Sequence, residues 1–78
     1  MLIEVATGRS VVPGDEWATR SGDHFVVLRF ETISSPGGNV PRAVLRRVDS
    51  DEVVMHDPSR MTVDLGWRLV ARRGRVFQ

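Results

Sequence analysis

Apolar and polar residues alternate along this chain over short runs that are separated by turn-forming residues. The clearest alternation lies in residues 24–33, 61–65 and 67–71. Residues 42–48 form a further predicted strand, and the turn Asp49-Ser50-Asp51 leads from it into residues 52–56. No window places apolar residues at positions i, i+3, i+4 and i+7, so the pattern predicts β-strands and no amphipathic α-helix.

Residues 24–33 form the longest predicted strand and carry apolar side chains on both faces. Positions 26, 28 and 30 lie on one face, and positions 25, 27 and 33 lie on the other. We therefore expect this strand to bend and to be partly covered on both sides. Arg46 and Arg47 are neighbours in the next strand, so they point to opposite faces unless a bulge intervenes.

Turn signals recur between these runs. Pro58 has no backbone N–H, so residues 57–60 are predicted to form a turn or a single 3₁₀ turn that Asp57 caps. Gly66 marks a tight bend between the two strands at 61–65 and 67–71. Residues 34–40 contain one proline and two glycines, and we predict that they form a mobile loop.

Short strands with frequent turns are typical of a small β-sandwich or barrel. We divide the chain into an N-terminal arm or edge strand at 1–10, a β-domain at 11–71 and a basic C-terminal tail at 72–78. Trp17, Phe30 and Trp67 are expected in the core, because so small a domain needs its large side chains inside.

Composition narrows the function classes. The chain has 78 residues, which is one domain, and it contains no cysteine, so disulfides and thiolate metal sites are excluded. The lack of cysteine fits a reducing cytosol, and we predict a cytoplasmic protein. The apolar start at residues 1–6 is too short for a signal peptide, and no run reaches the roughly 20 residues of a membrane helix, so no membrane partner is expected.

All 11 basic residues are arginine, and the formal net charge is only +1. The codon usage of a GC-rich genome explains the absence of lysine, so the arginines do not by themselves indicate nucleic-acid binding. The protein is nearly neutral rather than strongly basic.

Two short motifs are familiar from a group of small proteins. Val12-Pro13-Gly14-Asp15-Glu16-Trp17 resembles the turn that leads into the first strand of SH3-like barrels, and Trp67-Arg68-Leu69-Val70 resembles their closing strand. Between them lie a long hairpin, a short strand and a one-turn segment. The chain is thus similar to small uncharacterised SH3-like proteins of actinobacteria and their phages. The resemblance implies an all-β fold, a small SH3-like barrel of five or six short antiparallel strands.

Catalytic and metal sites find little support in the residues. His56, Asp57 and Ser59 lie together in one turn, and such adjacency does not give the geometry of a catalytic triad. Asp49-Ser50-Asp51-Glu52 is far shorter than a calcium-binding loop and is better explained as an exposed turn. We predict no enzyme activity, no catalytic residue, no metal site and no cofactor.

Two kinds of binding function remain. Small barrels present open strand edges and shallow grooves to proteins, so a protein partner is our first prediction, with a phage protein acting on a host complex or in the virion as one form of it. The N-terminal arm at residues 2–5 could add a strand to a second copy and so form a homo-oligomer. The alternative is nucleic-acid binding through strand and tail arginines, namely Arg46, Arg47, Arg68, Arg72, Arg73 and Arg75.

Overall fold

The computed structural model describes residues 3–4, 10–72 and 75–76, and it describes side chains over 11–72. Within these ranges all regular structure is β-strand or 3₁₀ helix, which confirms the predicted all-β class. The elements follow in the order β1 (Ile3–Glu4), β2 (Ser10–Val11), β3 (Glu16–Ala18), β4 (His24–Ser35), β5 (Gly38–Arg47), β6 (Val53–His56), η1 (Pro58–Arg60), η2 (Val63–Leu65), β7 (Arg68–Arg72) and β8 (Arg75–Val76).

Six strands form one antiparallel sheet in the order β6-β5-β4-β3-β7-β8, and β1 pairs with β2 separately. The long hairpin of β4 and β5 is followed by the short strand β6, by two 3₁₀ turns, η1 and η2, and by β7. The sheet is open, because no ladder joins β6 to β8 in the part of the chain described. Closure into an SH3-like barrel therefore stays a prediction.

Residues 34–40 do not form the predicted loop. β4 continues to Ser35, β5 begins at Gly38, and only Pro36 and Gly37 lie in the turn between them. Gly38 takes a φ of +118°, a conformation that residues with side chains avoid, so glycine allows the tight reversal here. All residues from 31 to 39 are exposed, so the end of this hairpin projects from the sheet.

The bend expected in β4 is a β-bulge. The register with β5 shifts between Val27 and Arg29, which leaves Leu28 without a direct partner. Because of this shift, Phe30 lies on the same face as Phe25 and Val27. Alternation alone had predicted that Phe30 lies on the opposite face. These three side chains pack on the core.

The core lies on one face of the sheet. Its buried side chains come from four strands of the sheet, from β2 and from the segment before β7, and they include Val11, Trp17, Phe25, Val27, Ala43, Leu45, Met61, Trp67 and Leu69. Phe30 is partly buried against this cluster. The placement of Trp17, Phe30 and Trp67 in the core is thus confirmed.

The strand predicted at 61–65 is absent. Met61 is fully buried, but Val63 and Leu65 are 61% and 52% exposed and belong to η2. A strand needs a neighbour for its backbone groups, whereas here the N–H of Trp67 donates to the carbonyl of Thr62 and closes a local turn. Gly66 provides the bend at φ +86°, but it follows a 3₁₀ turn and not a strand.

The two ends of the chain contribute short paired strands. The N-terminal segment contains β1, which pairs with β2. At the other end β7 continues to Arg72, one residue beyond the predicted end of the domain, and Ala71 and Arg72 pair with β8. No helix in the described residues is long and apolar enough to cross a membrane.

Candidate functional site

Three of the arginines proposed from the sequence for nucleic-acid binding are paired with carboxylates. Arg46 lies 2.7 Å from Asp51. Arg47 lies 2.7 Å from Asp23 and 3.2 Å from Glu52, and its guanidinium stands 4.9 Å from the centre of the Phe25 ring. Each carboxylate offsets part of the positive charge with which these arginines would bind a phosphate backbone.

Arg72 is the third, and it contacts a buried carboxylate. Asp15 is fully buried, and it accepts hydrogen bonds from the Nε and Nη2 atoms of Arg72 at 2.8 and 2.9 Å. This bond raises the pKa of Arg72 further above its ordinary value. Asp15 also accepts the backbone N–H of Val12 at 2.9 Å, which fixes the Pro13-Gly14 turn. The pair therefore ties β7 to the start of the domain.

Two of the predicted arginines, Arg46 and Arg47, lie on β5, and Arg68 lies on β7. The register of β5 places Arg46 opposite Val26 and Arg47 opposite Phe25, which confirms that the two neighbours point to opposite faces. Arg68 is exposed on β7. Arg73 and the side chain of Arg75 lie outside the described residues, so those two assignments stay predictions.

An aromatic cluster lies beneath β7. The Trp67 ring lies 4.9 Å from the His56 ring and 5.7 Å from the Phe25 ring. The Nε2 atom of His56 is buried with no hydrogen-bond partner among the described atoms. Desolvation by this burial is the main reason why the pKa of His56 is lowered, and Arg60 and Arg42 act in the same direction against Asp57.

The lowered pKa of His56 predicts an acid-induced loss of stability in a defined window. The native state holds the proton less tightly than the unfolded chain, whose histidine pKa is about 6.5. Stability should be constant above that pH and should decline as pH falls through it toward the native pKa, by at most about 1.4 kcal/mol per pH unit. Urea unfolding from pH 8 to 2.5 measures this, and His56→Gln should flatten the curve between pH 6.5 and 4.5.

A lower pH range separates the effect of Asp57 on stability from the effect of His56. Hydrogen bonds from Ser59 are the main cause of the lowered pKa of Asp57, whose stabilising effect is present above about pH 3.8 and is lost below it. The His56→Gln variant should keep that loss. An unchanged curve between pH 6.5 and 4.5 in the variant would show that His56 does not cause the decline.

A groove lies beside Trp67, between the β3–β4 turn and the start of β7. Its volume is about 370 Å³, and its lining residues are Thr19, Arg20, Gly22, Val63, Gly66, Trp67 and Arg68. Pairing of Ala18 with Arg68 brings these two parts of the chain together. The space at Gly66 is tight, since a Cβ atom there would lie 2.9 Å from the Cβ of Arg20. Glycine therefore lets the Arg20 stem approach the turn closely.

The groove has a distinct charge. Among the arginines whose side chains are described, only Arg20, Arg60 and Arg68 form no ion pair. Two of these three line the groove. Asp64 belongs to the adjoining η2 but does not line the groove. Two arginines without an ion-pair partner thus line the groove together with the apolar residues Val63 and Trp67.

A second exposed surface lies on β6, the edge strand of the sheet. Val53 and Met55 are 54% and 46% exposed. The N–H of Arg47 donates to the carbonyl of Glu52, so in this antiparallel ladder Val54 and His56 bond to β5 while Val53 and Met55 turn their backbone groups outward. No strand in the described part of the chain pairs with them.

Asp57 holds the turn after β6 through two hydrogen bonds with Ser59. The Asp57 carboxylate accepts the backbone N–H of Ser59 at 3.0 Å and its hydroxyl at 2.7 Å, which confirms that Asp57 caps the turn. No group of three or more histidine, aspartate or glutamate side chains positioned for a metal ion occurs within the described residues.

Arg20, which lines the groove, was not among the arginines proposed from the sequence. It lies in a turn, and its proximity to Arg68 depends on pairing between β3 and β7, which are about fifty residues apart in the chain. No sequence pattern near Arg20 predicts the pairing of β3 with β7. Arg68 itself was proposed from the sequence, but as one member of a basic strand and tail.

Comparisons with protein-family models, curated proteins and solved structures found no match. The resemblance to small SH3-like proteins of actinobacteria and their phages accordingly stays a prediction.

Proposed function

We propose that this protein is a non-enzymatic binding module that accepts an extended strand of a partner protein along β6. The observation that carries the proposal is the outward-facing backbone of Val53 and Met55 together with their half-exposed side chains. A partner strand would continue the sheet through main-chain hydrogen bonds and would place apolar side chains beside these two.

The chemistry of the edge supports this use. Proteins commonly protect edge strands with charges, prolines or bulges, but Val53–His56 contains no proline and no acidic or basic residue other than histidine. Val44 and Met55 are cross-strand partners, and Val44 is only 2% exposed. On the same face Val53 lies opposite Arg46, so the partner would meet the apolar side chains of Val53 and Met55 beside one arginine. If the protein is cytoplasmic and derives from a phage, a host complex or the virion would supply that strand.

Parallel affinity capture from an actinobacterial lysate tests the proposal. The baits are the unmodified chain, Met55→Pro and Val48→Ser. Proline at position 55 removes an outward N–H without removing a bond to β5, so the fold should persist while strand addition is blocked. Val48 is an exposed apolar residue in the neighbouring turn, 45% exposed, and serves as the matched control.

We expect at least one protein that the unmodified chain and Val48→Ser retain and Met55→Pro loses, with far-UV circular dichroism unchanged in all three. Partners retained equally by all baits, or no partner at all, would contradict the proposal.

Nucleic-acid binding is the weaker candidate. Arg46, Arg47 and Arg72 each have a carboxylate partner. Arg68 keeps an unpaired charge, and its neighbour in the groove is Arg20. Within the part of the chain whose side chains are described, two cations without a longer positive stripe favour a small anionic group over a polynucleotide.

A further inference from the structure

We propose that the groove between the β3–β4 turn and β7 is a second binding site, and that its ligand is a peptide segment with a carboxylate next to an apolar side chain. This site does not depend on the strand-addition surface at β6. Its distinguishing residues are Arg20, Arg68 and Trp67.

The charge of the groove selects the carboxylate. Most of the described arginines form an ion pair with an acidic side chain, yet Arg20 and Arg68 do not, and both are exposed at the same groove. A guanidinium offers paired N–H donors in a plane that matches a carboxylate. An anionic ligand is therefore the group that these two side chains are placed to bind.

The floor of the groove selects the apolar neighbour. Val63 is 61% exposed, and Trp67, which is 9% exposed, lines the groove with it. A volume of about 370 Å³ falls in the range of about 300–1,000 Å³ that is usual for small-molecule sites. It accommodates an aliphatic side chain together with a carboxylate.

The aromatic geometry disfavours a nucleic acid at this place. Base binding to an open surface relies on the exposed face of an aromatic ring. Trp67 is only 9% exposed, and its ring packs beside those of Phe25 and His56. Stacking of a base on it would require the core to open.

The test is a ¹⁵N nuclear magnetic resonance titration of the full chain with N-acetyl-leucyl-glutamate amide, whose single charge is the side-chain carboxylate. N-acetyl-leucyl-glutamine amide is the neutral matched probe, and a thymidine hexanucleotide is the polynucleotide probe. We expect the carboxylate peptide to shift the amide signals of Thr19, Gly22 and Gly66 and the Trp67 indole signal, and the neutral peptide to shift them much less.

Variants identify the cations. Arg20→Gln and Arg68→Gln should each weaken the binding of the carboxylate peptide about two- to fivefold, as expected for exposed ion pairs. Arg60→Gln removes the third unpaired arginine and should leave binding unchanged. The spectrum of each variant reports whether the fold is preserved.

Equal shifts with both peptides, or no shifts in the groove, would overturn the proposal. Stronger shifts of the same signals with the hexanucleotide would overturn it in favour of nucleic-acid binding. Either result leaves the capture experiment on β6 unaffected, so the two proposals fail separately.

Discussion

Replacing Asp15 with alanine is expected to lower the free energy of unfolding by about 3–5 kcal/mol. The substitution leaves the N–H of Val12 and the guanidinium of Arg72 without the carboxylate that both now contact. Asp15 is fully buried, so water does not replace these bonds freely. A small domain has only about 5–15 kcal/mol of stability in total, so the loss is large.

Two further variants separate charge from hydrogen bonding. Asp15→Asn keeps an acceptor for Val12 but loses the charge that faces Arg72, so it should cost less than Asp15→Ala. Glu31→Ala removes the partner of Arg29 in an ion pair of 2.7 Å whose side chains are 59% and 42% exposed, and it should cost less than about 1 kcal/mol. Urea unfolding of the four proteins measures the order.

Equal losses for Asp15→Ala and Glu31→Ala would mean that burial adds nothing to the Asp15–Arg72 pair. That result would also remove the reason for treating Arg72 as a structural residue. It would restore Arg72 to the candidates for ligand binding.

Local chemistry made much of the fold predictable from the sequence. Pro13-Gly14 and Asp57-Pro58 predict turns from local chemistry alone. Proline fixes φ, and the side chains of Asp15 and Asp57 accept nearby backbone N–H groups. The alternation at residues 24–33 likewise identified β4, although the strand extends to Ser35.

The errors arose where one sequence pattern is compatible with two structures. Met61, Val63 and Leu65 alternate as in a strand, yet only Met61 is buried, and no neighbouring strand is present to bond the backbone. In the 34–40 segment, glycine and proline suggested a loop. The same residues also permit a two-residue turn, and the pairing of β4 with β5 decides in its favour.

The candidate site was less predictable than the fold, because its charges are set by pairing across the sheet. The sequence shows eleven arginines but not which of them meet a carboxylate. Asp15 and Arg72 are 57 positions apart, and Arg20 reaches the groove only because β3 pairs with β7. Arg46, Arg47 and Arg72 were proposed for nucleic-acid binding from their place on predicted strands and in the tail, which does not show their carboxylate partners.

The two proposed surfaces rely on different kinds of interaction. The β6 edge offers backbone hydrogen bonds and apolar side chains, so binding there should change little with salt. The groove relies on two exposed guanidinium groups, whose attraction for a carboxylate is screened as salt rises. A protein that used both could hold one partner strand while it selected a neighbouring acidic segment of the same partner.

Replacing Trp17 with alanine is expected to cost about 3–5 kcal/mol of stability. Trp17 is 1% exposed and lies on β3, where it pairs with Phe25 on one side and Leu69 on the other. Removing its indole leaves a cavity between the two halves of the sheet. Far-UV circular dichroism during urea unfolding is the suitable measurement, because the substitution itself alters tryptophan fluorescence.

The comparison of Trp17→Ala with Trp17→Phe isolates one polar atom. The Nε1 atom of Trp17 is buried with no hydrogen-bond partner among the described atoms, and such a group costs about 1–3 kcal/mol. Phenylalanine keeps much of the apolar volume and removes this donor, so we expect its cost to be less than half that of alanine. Val53→Ala, at a site 54% exposed, should stay within about 0.5 kcal/mol. If phenylalanine is as costly as alanine, the indole N–H is satisfied in solution, and a buried water molecule is the group that would bond it.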